Sequence, residues 1–349
     1  MAPKKIRIDL VSDTVTQPSV AMRNAIAQAE VGDEQRGEDP STNTLCKMAA
    51  EILGKESAIF LPSGVMCNQI AILVHCRPGD EILTDELSHL VGSEGAGAAA
   101  LAGAMIRPLR GQHGIYTADQ VVEAIRAPKR NAPRSRLAVV EQTANRGGGT
   151  IWPLETIHAV ADAVHDRGLA LHMDGARIFN ASVASGISAK SYAAPCDSVW
   201  LDLSKGLGCP VGAVLAGSAD FIEQAWIWKH RLGGAMRQSG MLAAAGIYAL
   251  ENNIERLGED HANAALLARL IAQIPGIGLD PAAVQTNLVF FDVQATGLTS
   301  AQIARRLLAE GIRVGQESAY RMRAVTHLDI TRAGILDAAA ALAAAVQQV

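Results

Sequence analysis

Two apolar runs constrain this chain more than any other feature. Residues 169–173 run up to Asp174, which is followed by Gly175 and Arg177. Residues 199–203 run up to Lys205, which sits between Ser204 and Gly206. Short apolar runs bounded by turn residues read as strands buried on both faces. The C-terminal ends of these two present a carboxylate, a guanidinium and an amine. In open α/β sheets that edge is where ligands sit.

The rest of the chain alternates in the same way. Strands are expected over residues 6–11, 58–61, 81–84, 105–108, 137–141 and 212–216. Helices are expected from Pro18, from a Ser41 or Thr42 cap to Gly54, over 65–75, near 96–102, from Thr117 to Arg126, and from Pro153 to Gly168. Strand–helix alternation implies an α/β fold with a mainly parallel sheet covered on both faces. Beyond Gly240 the pattern changes. Helical sequence at 241–252 and 259–273 leads to a strand at 287–293, a helix at 300–310, strand-like runs at 312–314 and 324–328, and a last helix from Thr331. This predicts a small α+β domain. The expected division is an N-terminal segment (1–47), a large domain (48–250) and a small C-terminal domain (251–349). A chain of 349 residues is long enough for two cores.

Composition removes several classes of function. A net charge of −4 gives no electrostatic case for nucleic acid or an anionic membrane surface. Aromatic residues are only 4%, too few for a base-stacking platform. Five cysteines without C-x-x-C spacing read as reduced thiols in a cytoplasmic protein, not as a disulfide frame or zinc site. No apolar signal segment opens the sequence, and no apolar stretch reaches the roughly 20 residues that span a bilayer.

Candidate site residues follow from chemistry. Alone, a lysine at a strand end is more often solvated than reactive. Lys205, however, has Gly206 and Gly208 beside it and Ser204 before it. A desolvated lysine near other cations becomes an amine nucleophile. Asp174 at its strand end suits a pyridinium nitrogen, and Arg177 lies within reach of the same ligand. Ser63-Gly64-Val65 joins a strand to a helix, where backbone N–H groups cradle phosphates. His89, expected in a loop, is a candidate proton acceptor and stacking group. Arg323 is a candidate grip for a carboxylate. Gly95 to Ala100 fits a dinucleotide fingerprint but lacks its strand and its acidic partner, and no metal-binding spacing is present.

Taken together these residues resemble the low-specificity L-threonine aldolase family, pyridoxal 5'-phosphate enzymes of the aspartate-aminotransferase fold type (fold type I). The similarity runs over nearly the whole chain. Its motifs include residues 9–16, Gly37-Glu38-Asp39-Pro40, Pro62-Ser63-Gly64, His172-Met173-Asp174-Gly175-Ala176-Arg177, Leu203-Ser204-Lys205-Gly206, residues 233–238, and Thr326-His327-Leu328-Asp329. The resemblance implies a retro-aldol cleavage of L-3-hydroxy-α-amino acids to glycine and an aldehyde. An aminotransferase or β-eliminating lyase on the same scaffold is the alternative, and a non-enzymatic binding protein a third reading. The resemblance also implies roles. Lys205 would bond covalently to the cofactor aldehyde, and Asp174 would meet the ring nitrogen. His89 would stack on the ring and serve as base. Ser63, Gly64 and Val65 would hold the phosphate, joined by Arg237 from a neighbouring subunit of a homodimer or homotetramer. Ser12, Arg177 and Arg323 would bind the substrate carboxylate, with Glu94 in support and Arg36 near the substrate entrance. No metal is implied. Departures from the family pattern, among them Val11, Arg36, Val65 and Ala144, are expected towards the pocket for the β-substituent.

Overall fold

The structure, a computed structural model, describes residues 5–347. Residues 1–4, the start of the stretch read above as lacking an apolar signal segment, lie outside the described residues, as do 348 and 349. The strands in chain order are β1 (Ile8–Leu10), β2 (Ser57–Leu61), β3 (Asp80–Asp85), β4 (Met105–Leu109), β5 (Arg134–Glu141), β6 (Ala170–Gly175), β7 (Ser198–Asp202), β8 (Ala213–Gly217), β9 (Leu288–Asp292), β10 (Ile312–Gln316) and β11 (Arg321–Val325).

Seven of them form one sheet in the order β2-β8-β7-β6-β5-β3-β4. It is parallel from β7 to β4, and β8 runs antiparallel to both its neighbours. Successive side chains alternate between two cores. Phe60, Val199, Leu201 and Val214 face helices Pro40–Leu53, Leu154–His165 and Gly240–Asn252. Ile59, Leu61, Trp200 and Leu215 face helices Gly64–His75 and Ala219–Arg231. Cover on both sides explains why β6 and β7 read as largely apolar runs.

The second sheet has the order β1-β10-β11-β9. β1 pairs in parallel with β10, Ile8 opposite Ile312, although they stand at opposite ends of the chain. Arg313 Nε donates to Asp9 Oδ1 at 2.9 Å across that pair. Ile8 and Leu10 share a core with Leu267, Ile271, Phe291, Met322 and Ile335. The first strand therefore belongs to the small sheet. The division expected at 47/48 falls inside helix Pro40–Leu53, and the one at 250/251 falls inside helix Gly240–Asn252.

Other differences have local causes. Helix Pro40–Leu53 starts earlier than expected because Asp39, not Ser41 or Thr42, caps it. The Asp39 carboxylate accepts from Thr42 N at 2.9 Å, and Pro40 occupies the first turn. The strand expected over 324–328 is β11, ending at Val325. The next residues turn away so that His327 Nε2 reaches the Asp9 carbonyl at 2.8 Å. His89 opens a one-turn helix, His89–Gly92, where a loop was expected. Helices Ile178–Ser185, Ala189–Ala193 and Ala219–Arg231 were not expected at all. Among the described residues, no helix is long and apolar enough to cross a membrane.

Candidate active site

Four neighbouring parallel strands end in carboxylates: Asp85 on β3, Glu141 on β5, Asp174 on β6 and Asp202 on β7. Above the last three lies a cleft of about 410 Å³. Ser12, Ser63, Gly64, Val65, His89, Asp174, Arg177, Lys205 and Arg323 all line it. These residues are scattered over more than three hundred positions, and the fold brings them together.

Lys205 follows β7, and its backbone carbonyl accepts from Thr16 Oγ1 at 2.9 Å. Its amine pairs with Asp202 Oδ2 at 2.8 Å and lies 5.5 Å from the Trp200 ring centroid. The charged partner is thus a carboxylate, where the sequence suggested cations. Asp202 also receives the Ser204 N–H and hydroxyl, at 2.7 and 2.9 Å, which fixes the turn carrying the lysine.

Asp174 is buried at the end of β6. Gly175 beside it has no room for a side chain, since a Cβ there would stand 2.0 Å from the Trp200 carbonyl of β7. The Asp174 carboxylate accepts from Ala176 N at 3.1 Å and from Asn68 Nδ2 at 2.8 Å. Burial pushes its carboxyl up to about 7. Glu141 adds to the rise, and Lys205 and the Asn68 hydrogen bond oppose it. A buried carboxylate held in this way is short of positive charge. A ring N–H⁺ supplies what it lacks, so the residues present fit a pyridinium group.

Helix Gly64–His75 turns its N-terminus to the cleft. Of its first four N–H groups, Met66 N donates to Ser63 Oγ at 3.3 Å and Cys67 N to the Ser63 carbonyl at 3.2 Å. That leaves Gly64 and Val65, both on the cleft wall, to face an anion. Gly64 is required by packing: a Cβ there would come within 2.2 Å of the Trp200 ring. Gly64→Ala is expected to cost about 1–3 kcal/mol by overpacking, read from urea unfolding of the apoprotein. An unchanged midpoint would show that the indole can move aside.

His89 Nδ1 lies 2.9 Å from Glu94 Oε1, and the His89 backbone N–H donates to Glu141 Oε2 at 2.7 Å. The Glu94 hydrogen bond raises the affinity of His89 for its proton, outweighing burial. The Glu94 side chain is fully buried and stands behind the ring rather than on the cleft wall. His89, Glu94 and Asp174 bring ligand atoms within 4.8 Å of one another, the spacing of a cation site. The Asn68 amide already bridges the two carboxylates, so hydrogen bonds fill that space.

The two arginines differ. Arg177 Nε and its Nη2 clasp Asp13 in a bidentate pair at 2.8 Å, with both side chains buried. Arg323 is held less completely. It donates to Asn145 Oδ1 at 3.1 Å and to the Val11 carbonyl at 3.3 Å, and Glu317 lies 3.2 Å from its Nε. Burial lowers its hold on the proton. Arg36 and Arg237 do not line this cleft. They stand exposed beside Asp33, at 3.8 and 3.2 Å from its carboxylate.

Comparison with known proteins gives this cleft its kin. The model of the beta-eliminating lyase family matches residues 9–295. A low-specificity L-threonine aldolase of Escherichia coli K12 is 42% identical over 95% of this chain and 97% of its own. The chain belongs to this family. Low-specificity L-threonine aldolase 1 of Arabidopsis thaliana is 39% identical over 94% of this chain and 93% of its own. A solved threonine aldolase of Leishmania major superposes with a TM-score of 0.81 at 19% identity, covering 97% of this chain and 99% of that one. The last agreement places the chain in fold type I. A mainly parallel seven-stranded sheet carries the cleft, and a small second sheet completes it.

Sequence reading missed several residues that shape this family member's cleft. Asp13, Asn68, Glu141, Asn145, Asp202 and Glu317 touch the expected site residues directly. Two signals were available. Apolar runs end at Glu141 and contain Asp202 near their end, as the run at 169–173 ends at Asp174. Asn68 and Gln69 interrupt an otherwise apolar helix and are buried.

Proposed function

We propose that this protein is a pyridoxal 5'-phosphate-dependent aldolase that cleaves L-3-hydroxy-α-amino acids, of the threonine, allo-threonine and phenylserine type, to glycine and an aldehyde. The observation that carries the reading is the convergence of Lys205, Asp174, the Gly64 and Val65 N–H groups and Arg323 on one cleft. When bound, the cofactor supplies an aldehyde for the amino group and a protonated ring that accepts the electron pair of the broken bond.

The chain's own residues do the rest. Lys205 offers the amine that holds the aldehyde. Asp174 keeps a proton on the ring nitrogen. Ser63, Gly64 and Val65 hold the phosphate. Arg323 takes the substrate carboxylate, with Ser12 beside it. Arg177 contributes from a fixed position because Asp13 holds two of its nitrogens. His89 gives its Nδ1 hydrogen to Glu94, leaving Nε2 to take the proton of the β-hydroxyl. Orienting the carboxylate sets which bond to Cα stands perpendicular to the ring, and that choice separates cleavage from transamination.

We assign the protein to the cytoplasm, as a homodimer or homotetramer. The five cysteines are free, consistent with a reducing compartment. The exposure of Arg237, outside the cleft of its own chain, supports a role for it at a neighbouring subunit's phosphate site.

The test is a substrate panel of threonine, allo-threonine, phenylserine and 3-hydroxyaspartate with the holoenzyme. Glycine and aldehyde in equal amounts are expected. The family description leaves a β-eliminating lyase as the second reading. Ammonia and a keto acid as products would establish it and remove the aldolase.

A further inference from the structure

A buried polar network lies beneath the cleft, and its centre is Asn68. The Asn68 Nδ2 group donates to Glu94 Oε1 at 2.7 Å and to Asp174 Oδ2 at 2.8 Å. Its Oδ1 lies 2.7 Å from Trp200 Nε1 and 3.1 Å from His172 Nε2. An asparagine amide has two hydrogens and two acceptor lone pairs, so all four are used. An indole N–H only donates, so Oδ1 must face Trp200 and the amide has one orientation.

That orientation fixes the protons on both sides. His172 Nε2 must carry a hydrogen to meet Oδ1. Burial, with His75 nearby, pushes this imidazole down to about 3, so the ring is neutral and its Nδ1 accepts. Ser198 Oγ then donates to Nδ1 at 2.8 Å and accepts from His75 Nε2 at 2.8 Å. On the other side, Glu94 Oε1 accepts from Asn68 and from His89 Nδ1, while Oε2 accepts from Gln69 Nε2 at 2.7 Å. Three donors therefore converge on the Glu94 carboxylate.

We propose that Asn68 is a positioning residue that couples the two working groups of the site, one N–H holding Asp174 as an acceptor for the cofactor's ring nitrogen and the other holding Glu94 so that His89 presents Nε2. The Trp200 indole and the His172–Ser198–His75 relay keep its amide pointing that way. The inference rests on the roles given above to Asp174 and His89. Other charged groups face both: Glu141, Glu94 and Lys205 act on Asp174, and Glu94, Asp174 and Glu141 act on His89. Asn68 is the side chain that hydrogen-bonds to both carboxylates.

The test compares wild-type, Asn68→Asp and Asn68→Ala holoenzymes. Asn68→Asp keeps an oxygen for Trp200 and His172 but replaces the donors with a third carboxylate. It is expected to weaken cofactor binding at least tenfold and to move the acid limb of kcat/KM upward by about one pH unit, because added negative charge strengthens the hold of His89 on its proton. Asn68→Ala carries the test if the aspartate variant does not fold. Without the donor Asp174 protonates at higher pH, so the ratio of cofactor dissociation constants at pH 6 and pH 8 should rise at least threefold over wild type. A merely structural role would lower stability and leave that ratio and the acid limb unmoved, and this result would overturn the inference. A wild-type protein that binds no cofactor would instead sink the proposed function, and this inference with it.

Discussion

Lys205→Ala is expected to lower kcat for glycine release by at least about a thousandfold, the scale on which an enzyme loses its covalent nucleophile. The carboxylate floor and the anion cradle do not depend on this side chain, so the variant should still bind pyridoxal phosphate, less tightly and without a covalent bond. Borohydride treatment followed by mass measurement would read the bond directly. Wild type should gain the mass of the reduced cofactor adduct, and the alanine protein should not. The rest of the turn should stay in place, because Thr16 holds the Lys205 carbonyl and Ser204 remains bonded to Asp202. A Lys205→Ala protein that cleaved threonine at the wild-type rate would remove the amine from the reaction altogether.

Asp13→Ala should be the most damaging change to stability. It strips the partner from a guanidinium that is buried with it, which costs about 3–5 kcal/mol when the other charge stays behind. It also leaves Asn287 Nδ2 without the carboxylate it meets at 3.1 Å. Replacing both members with apolar residues, as in Asp13→Leu with Arg177→Met, should cost far less, because no charge is then stranded. Urea unfolding of wild type, Asp13→Ala and the double variant gives the comparison. The pair also sets a pH dependence. Burial works to raise the Asp13 carboxyl, but the Arg177 guanidinium outweighs it and holds the group well below the usual carboxylate range. A depressed folded value means that the stabilisation is complete above the unfolded value of about 4 and fades as the pH falls below it. The stability gap between wild type and Asp13→Ala should therefore narrow in acid. A gap constant from pH 7 to pH 3 would show that the contribution of Asp13 is packing and not charge.

The legible part of this site was the part written locally. Asp174 and Lys205 stand out because an apolar run stops at each, and the strand ends that such runs imply are where the structure places them. The strand–helix alternation likewise revealed the parallel sheet, since burial on both faces leaves a local mark. What was not legible depends on pairings across the chain. Nothing near Asp13 announces a partner at Arg177, and nothing near Asn68 announces Asp174, Trp200 and His172. His89 was placed in a loop because its helix is a single turn, held by the Ser88 hydroxyl at one end and by Glu141 from β5. Helix Ile178–Ser185 opens with four consecutive buried residues, so no amphipathic period betrays it. Arg36 illustrates the reverse limit: the family resemblance implied an entrance residue, and the fold of one chain leaves it on the surface.

The pairing of β1 with β10 carries a consequence for how the chain is made. Asp9 and Arg313 are separated by 304 positions. At about 5–20 residues per second of synthesis, roughly 15–60 s pass between the emergence of the two strands. During that interval β1 is a bare strand, with Ile8 and Leu10 uncovered and Ser12 and Asp13 hanging from its end. The large sheet has everything it needs well before then. The side of the cleft that carries Ser12 and Arg323 is therefore assembled last, after the floor that carries Asp174 and Lys205, and a nascent chain can complete that floor while Arg323 is still absent.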